Sequence, residues 1–253
     1  MAAVAWITSA RLALQTVLLL PGMGKPVWPD LRTPAIALAW QRVKPLLLGT
    51  TYYKTDALVD RFLLSAAASG SLSLYYLAQQ LYTAATEVMD KAIAAPLVPR
   101  LSTLHKQGDR AGFRRTYQRG VLVVSALSLA GLLLLGVAGE GLLDLVFGYK
   151  NFSAGDVQAL WWILIWLAGM FIGAIAGQVA ATAFYALGDT STPTWTSAVA
   201  YTVYIPCKVA AFSLYGVMGL AVATSLYYLA NLLVKLVLLQ RSFADEPAPC
   251  PSP

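Results

Sequence analysis

Charged side chains are scarce in this sequence. Asp, Glu, Lys and Arg make up 12% of the 253 residues, against about 25% in an average soluble domain. A water-soluble fold would lack the polar side chains needed to cover its surface, so composition excludes an ordinary soluble globular class. Histidine occurs once, at His105 in a basic stretch. Cysteine occurs twice, at Cys207 in an apolar run and Cys250 in the tail. Those counts leave no metal-ligand spacing and no Ser/His/Asp set. The chain is therefore read as a non-enzyme without a resident cofactor.

Apolar sequence fills the rest: 58% of residues are hydrophobic, and they come in long runs. A bilayer core of about 30 Å is crossed by about 20 mostly apolar helical residues. Seven such segments are expected, near 2–20, 44–68, 72–98, 118–139, 157–187, 194–213 and 217–239. Breakers stand between them: Pro21 to Pro29, Ser69 and Gly70, Pro99, the stretch Gly188 to Pro193, and Gly216. The fold class is all-α, a polytopic transmembrane helical bundle. Residues 1–20 form a first helix, 21–43 a basic cytoplasmic loop, 44–243 a six-helix lobe and 244–253 a Pro-rich disordered tail. A signal peptide is the alternative for the first segment, but it lacks a basic start and Arg11 interrupts it.

The net charge of +6 sits in the joints, which is a topology signal and not a nucleic-acid face. Lys25, Arg32, Arg42 and Lys44 follow the first segment. Arg100, Lys106, Arg110, Arg114, Arg115 and Arg119 follow the third, and Lys235 and Arg241 lie at the end. The intervening turns have few cations. The alternation places the C-terminus in the cytoplasm and the N-terminus outside, an arrangement expected of the later part of a longer architecture.

A charge within a membrane helix costs about 2.5–3.5 kcal/mol on insertion scales, so those that remain call for a role. Segment two carries Lys54, Asp56, Asp60 and Arg61. At 100° per residue the two acids lie about 40° apart and the two bases about 20° apart, making one polar arc. Segment three places Gln80, Thr83, Glu87, Asp90 and Lys91 on one helical face, with Glu87 and Lys91 spaced to pair. The Ser69–Gly70 turn makes these segments an antiparallel hairpin. Its polar faces either line a hydrated substrate cavity or hold helices together by ion pairs. Arg11 and Gln15 share a face of segment one. Lys208 is expected to snorkel from the outer end of segment six. Gln178 reads as a helix–helix hydrogen bond, and Gly169, Gly173 and Gly177 as a packing ladder. Pro206 reads as a kink, and Trp161, Trp162 and Trp166 as an interfacial belt.

Four stretches together resemble a known family. They are Asp56 to Arg100, Phe184 to Pro193 (FYALGDTSTP), Tyr215 to Leu226 (YGVMGLAVATSL) and Leu12 to Pro21 (LALQTVLLLP). In this order they are similar to the second half of the lipid II flippase (MurJ/MviN) family, within the multidrug/oligosaccharidyl-lipid/polysaccharide exporter superfamily. The resemblance implies a two-lobed fold around a central cationic cavity. By alternating access it would move an undecaprenyl-linked cell-wall precursor, or a related lipid-linked oligosaccharide, across the bacterial cytoplasmic membrane. This chain corresponds to one lobe plus a preceding helix. It lacks the amino-terminal lobe, so a partner lobe or a second copy is expected to complete it. Where the family has an arginine and an acid three residues on, this chain has Gln80 and Thr83. Lys54, Arg61, Lys91 or Arg11 could restore the charge. The expected partners are a polyprenyl-pyrophosphate-linked glycan and membrane lipids, with a proton or Na⁺ as coupling ion on Asp56, Asp60, Glu87 or Asp90. The alternatives are a non-transporting scaffold or truncated half-flippase, and an intramembrane enzyme of lipid-linked sugars. No acid/His cluster supports the last.

Overall fold

The computed structural model describes residues 55–67, 70–148 and 152–245 throughout, and scattered positions before 55. The chain divides into two compact units, Met1–Trp40 and Gln41–Pro253. In the first, described residues such as 14–18 are helical and exposed. Most of the first segment, most of the 21–43 loop, Ser69, Lys150 and the end of the tail lie outside the described residues. The rest of the description concerns the second unit.

Every regular element described there is a helix. They are α1 (Asp56–Ser65), α2 (Ser71–Met89), a π-helical turn (Asp90–Ala94), α3 (Ala95–Lys106), α4 (Arg110–Phe147), α5 (Ala154–Trp166), α6 (Ala168–Ala186) and α7 (Ser191–Asp245). The chain thus forms an all-α membrane-spanning bundle. Arg110–Phe147, Ala168–Ala186 and Ser191–Phe243 are long and apolar enough to cross a membrane. Large apolar side chains such as Val137 and Leu145 on α4 and Phe62 on α1 stand exposed, as a lipid-facing surface requires.

Turns form where glycine permits a left-handed backbone. Gly70 (φ 90°) joins α1 to α2. Gly216 (φ 61°, ψ −141°) interrupts α7 and folds it into two antiparallel legs, 191–215 and 217–245. The legs are laced by pairs such as Ser197 with Asn231 and Tyr204 with Thr224. Pro206 lies within the first leg, which stays helical; Gly216 is the non-helical residue of α7. At the α7 start, Asp189 Oδ1 accepts from the amides of Ser191 and Thr192. Asp109 caps α4 through the Gly112 amide, supplying the acceptor that an N-terminus lacks.

Three expectations change. Pro99 does not end the third segment. The helix runs through it to Lys106, with Pro96 in the first turn of α3 and Pro99 inside it; each proline removes only one helical hydrogen bond. The basic residues from Arg110 onward accordingly lie on α4 and not in a loop. The apolar run 157–187 is not one helix: it breaks at Leu167 (φ −83°, ψ 0°). Neighbouring helices satisfy the carbonyls freed there. The Tyr82 hydroxyl donates to the Leu164 carbonyl at 2.7 Å and the Ser225 hydroxyl to the Trp166 carbonyl at 2.6 Å. Ser225 Oγ in turn accepts from the Met170 amide at 3.2 Å. A break inside an apolar layer is tolerated only with such replacements.

One core packs Tyr75, Ala78 and Tyr82 of α2 against Leu160, Leu164, Leu167 and Phe171, with Tyr82 and Phe171 stacked at 4.9 Å. Another, toward the chain end, joins Leu101, Phe113, Tyr117, Phe184 and Leu239. The small-residue ladder divides. A Cβ on Gly169 would meet Ser225 side-chain atoms at 2.8 Å, and one on Gly173 would meet the Tyr228 backbone at 2.6 Å, whereas Gly177 faces open space. Gly169 and Gly173 let α6 lie directly on the second leg of α7. The third is left free for another purpose. Trp161 is likewise drawn inward: its indole N–H donates to the Leu135 carbonyl at 2.9 Å. Trp162 and Trp166 remain exposed.

Candidate substrate cavity and buried ion cluster

The polar residues of the α1–α2 hairpin separate into two sites with different surroundings. The first is dry. Lys208, on the first leg of α7, is fully buried and reaches Asp56 and Asp60 of α1, each at 2.5 Å. Asp60 is itself 2% exposed and also accepts from Gln79 Nε2 at 3.4 Å. The Tyr204 ring lies 4.9 Å from the Lys208 ammonium. Around the cluster, Thr224 shares hydrogen bonds with the buried Tyr75 and Tyr204 hydroxyls, at 3.2 and 2.7 Å. Lys208 therefore does not snorkel. It stands about 12 Å of helix before the Gly216 turn, and two carboxylates hold it inside. A lone lysine at the edge of an apolar run gave little signal. The informative feature was two acids spaced i, i+4 on α1.

The second site is a cavity of about 560 Å³. One wall is α2 and the π turn, with Thr83, Thr86, Glu87 and Asp90. Another is α6, with Gly173, Gly177, Gln178 and Tyr185. Thr194 and Ser197 come from the first leg of α7, and Tyr227, Tyr228, Asn231 and Lys235 from the second. α6 packs against both the π turn and α7, so the cavity is a groove with α6 as its floor. Gly177, having no side chain to project, opens that floor. Gln178, expected to join two helices, is exposed and lines the groove instead. Lys235, read from sequence as a charge beyond the membrane, lines it too.

The remaining candidates lie elsewhere. Arg61 is exposed and donates from Nε to the Tyr76 hydroxyl at 3.2 Å, with its guanidinium 5.9 Å from that ring. Gln80 and Lys91 are exposed and outside the cavity lining. Among the described residues, Glu87 and Lys91 form no ion pair with each other. The π turn beginning at Asp90, closed by the Ala95 amide on the Asp90 carbonyl, inserts a residue into the helical register and rotates Lys91 away. Arg11 and Lys54 lie outside the described residues. Asp56 and Asp60 belong to the dry cluster and not to the groove. Of the expected cavity set, Thr83, Glu87 and Asp90 face the groove.

A family model described as lipid II flippase MurJ matches residues 3–249. Among curated proteins, the chain is 28% identical to a probable lipid II flippase MurJ of Vibrio cholerae over 82% of this chain and 39% of that protein. It is 24% identical to one from Bdellovibrio bacteriovorus, over 88% of this chain and 42% of the relative. A third, from Thermotoga maritima, is 26% identical over 75% of the chain and 39% of its own length. The chain spans about two-fifths of the curated relatives it matches.

Proposed function

This chain belongs to the lipid II flippase MurJ family, and on that premise we propose that it forms one lobe of a transporter for lipid-linked cell-wall precursors. The physical task is to shelter a pyrophosphate–sugar head from hydrocarbon while the polyprenyl tail stays in lipid. The observation that carries the reading is the groove beside α6. Charged, amide and hydroxyl side chains face one open space of about 560 Å³, inside a bundle whose outer surface is apolar. No covalent step is needed; the chain acts as a transporter and not an enzyme.

The groove is open along one side, with Glu87 and Gln178 exposed, so a second lobe or a second copy completes the enclosure. The chain sits in the bacterial cytoplasmic membrane with its N-terminus outside and its C-terminus cytoplasmic, following the distribution of Lys and Arg. Residues 44–243 act as the six-helix lobe, preceded by the 1–20 helix and the 21–43 loop. If a proton or Na⁺ couples transport, the candidate carriers are Glu87 and Asp90 in the groove and one carboxyl of the Asp56–Asp60 pair, which shares the single ammonium of Lys208.

Complementation of a flippase-depleted strain, with leaflet-accessible precursor as readout, tests the proposal. Rescue is expected when the chain is supplied with an amino-terminal lobe. No rescue in any combination, despite normal membrane insertion, rejects transport and leaves a scaffold. Glu87→Gln and Asp90→Asn should lower transport without lowering expression. Loss of expression instead would mean that these carboxylates only hold helices together.

A further inference from the structure

The charges lining the groove do not suit a pyrophosphate. Glu87 and Asp90 present two carboxylates from α2 and the π turn, and Lys235 presents one ammonium from the second leg of α7. These elements are separate walls leaning on α6. No ion pair joins them among the described residues, so the charges are not spent on one another. Between them stand amide and hydroxyl groups from Gln178, Asn231, Thr194 and Ser197, together with the Tyr227 and Tyr228 side chains. A dianionic pyrophosphate would face a lining with more negative than positive charge, and recognition of that group favours clustered arginine. Arg61, one of the cations expected to restore the charge, is engaged with Tyr76 and lies outside the lining.

Resting on the transport reading above, we infer that the transported headgroup carries a peptide and that this groove receives it. Its ligand is a short peptide carrying both a free ammonium and a carboxylate, and the pyrophosphate is held outside this chain's groove. The ammonium sits against Glu87 and Asp90, and the carboxylate against Lys235. Gln178, exposed on the floor, pairs with the peptide backbone, while Asn231, Ser197 and Thr194 hydrogen-bond within the lobe and hold the walls. A cavity of about 560 Å³ lies within the roughly 300–1,000 Å³ common for ligand pockets, enough for a few residues and not for an entire lipid-linked head.

The test is direct binding to the full chain in lipid nanodiscs. The probe is a fluorescent tripeptide with a lysine side chain and a free C-terminal carboxylate. Its N-acetylated form, its C-terminal amide and inorganic pyrophosphate are the comparisons. A hydrogen-bonded charge is worth about tenfold or more in affinity. Acetylating the amine should therefore weaken binding at least about tenfold, and amidating the carboxylate should weaken it in like manner. Pyrophosphate should not compete. Glu87→Gln with Asp90→Asn should abolish the preference for the free amine, and Lys235→Met the preference for the free carboxylate. The probe-side changes use the unaltered protein, so the test stands even if a variant fails to fold. Equal binding of the acetylated peptide, displacement by pyrophosphate, or no binding of the free peptide overturns the inference. Because transport is read separately, a chain that rescues flipping yet ignores the amine refutes this assignment alone. One that binds the peptide yet never rescues refutes the transport role.

Discussion

Replacing Lys208 by methionine keeps the length and apolar stem of the side chain and removes its ammonium. In the native bundle that ammonium has no exposed surface and is shared by two carboxylates, one positive charge against two negative ones. Breaking a buried ion pair by removing one partner costs about 3–5 kcal/mol. A ceiling follows from proton uptake. A stranded carboxyl with an ordinary pKa near 3.9 can be neutralised at pH 7 for about 3 units at about 1.36 kcal/mol each, or about 4 kcal/mol. Asp60, at 3% side-chain exposure, should approach that ceiling. Asp56, at 26%, retains water and should add little. The expected loss is about 4–5 kcal/mol. At about 2–4 °C per kcal/mol for a chain of this size, that is a fall in Tm of roughly 8–20 °C, read by thermal unfolding in detergent. Adding Asp56→Asn and Asp60→Asn to Lys208→Met removes the stranded charge and should restore most of the loss, since apolar or neutral replacement of a whole buried ion cluster is often close to neutral. A Lys208→Met protein melting within 2 °C of the parent on about that scale, or a triple variant no better than the single one, refutes the dry-cluster account.

Gly173→Ala and Gly177→Ala should diverge although they are one helical turn apart. A Cβ at Gly173 meets Tyr228 backbone at 2.6 Å, which cannot yield without separating α6 from α7. The overpacking cost is about 1–3 kcal/mol, visible as lower thermal stability. Gly177→Ala meets nothing within 4 Å and should be neutral or stabilising by up to about 1 kcal/mol through helix propensity. Tyr82→Phe strands the Leu164 carbonyl that its hydroxyl serves at 2.7 Å; a loss of about 1–3 kcal/mol in the same assay is expected. At the start of α5, the Ser153 hydroxyl and then its amide hold the Asp156 carboxyl below the usual carboxylate range. Because its folded-state pKa is depressed, this cap stabilises the helix at neutral pH and is lost only as pH falls below about 4. An NMR titration of Asp156 should show its midpoint return toward the ordinary value in Ser153→Ala; an unchanged midpoint contradicts the capping box.

Much of the fold was legible because lipid imposes a simple rule on sequence: long apolar runs become helices and glycine or proline marks the joints. Gly70 and Gly216 turn where expected because the left-handed backbone they adopt favours glycine. Pro99 misled because a proline removes a single helical hydrogen bond and a helix in a membrane bundle tolerates that loss. The break at Leu167 was invisible for a related reason. Its cause lies in Tyr82 and Ser225, far away in sequence, whose hydroxyls replace the missing helical bonds. In the candidate site, helical spacing grouped Thr83, Glu87 and Asp90 on one face. It could not show that Lys208 would claim Asp56 and Asp60, nor that Lys235 and Gln178 would turn into the groove. Those placements depend on how α7 folds back at Gly216 and docks on α6.

The Ser225 hydroxyl grips both sides of the interruption at Leu167, one through the Trp166 carbonyl and the other through the Met170 amide. A splint of that kind makes two rods and their neighbour a single linkage. Changing the bend without shifting the far leg of α7 would break one of these two bonds. The leg that carries Lys235 and the helix that carries Gln178 are thus pinned to each other through one oxygen atom.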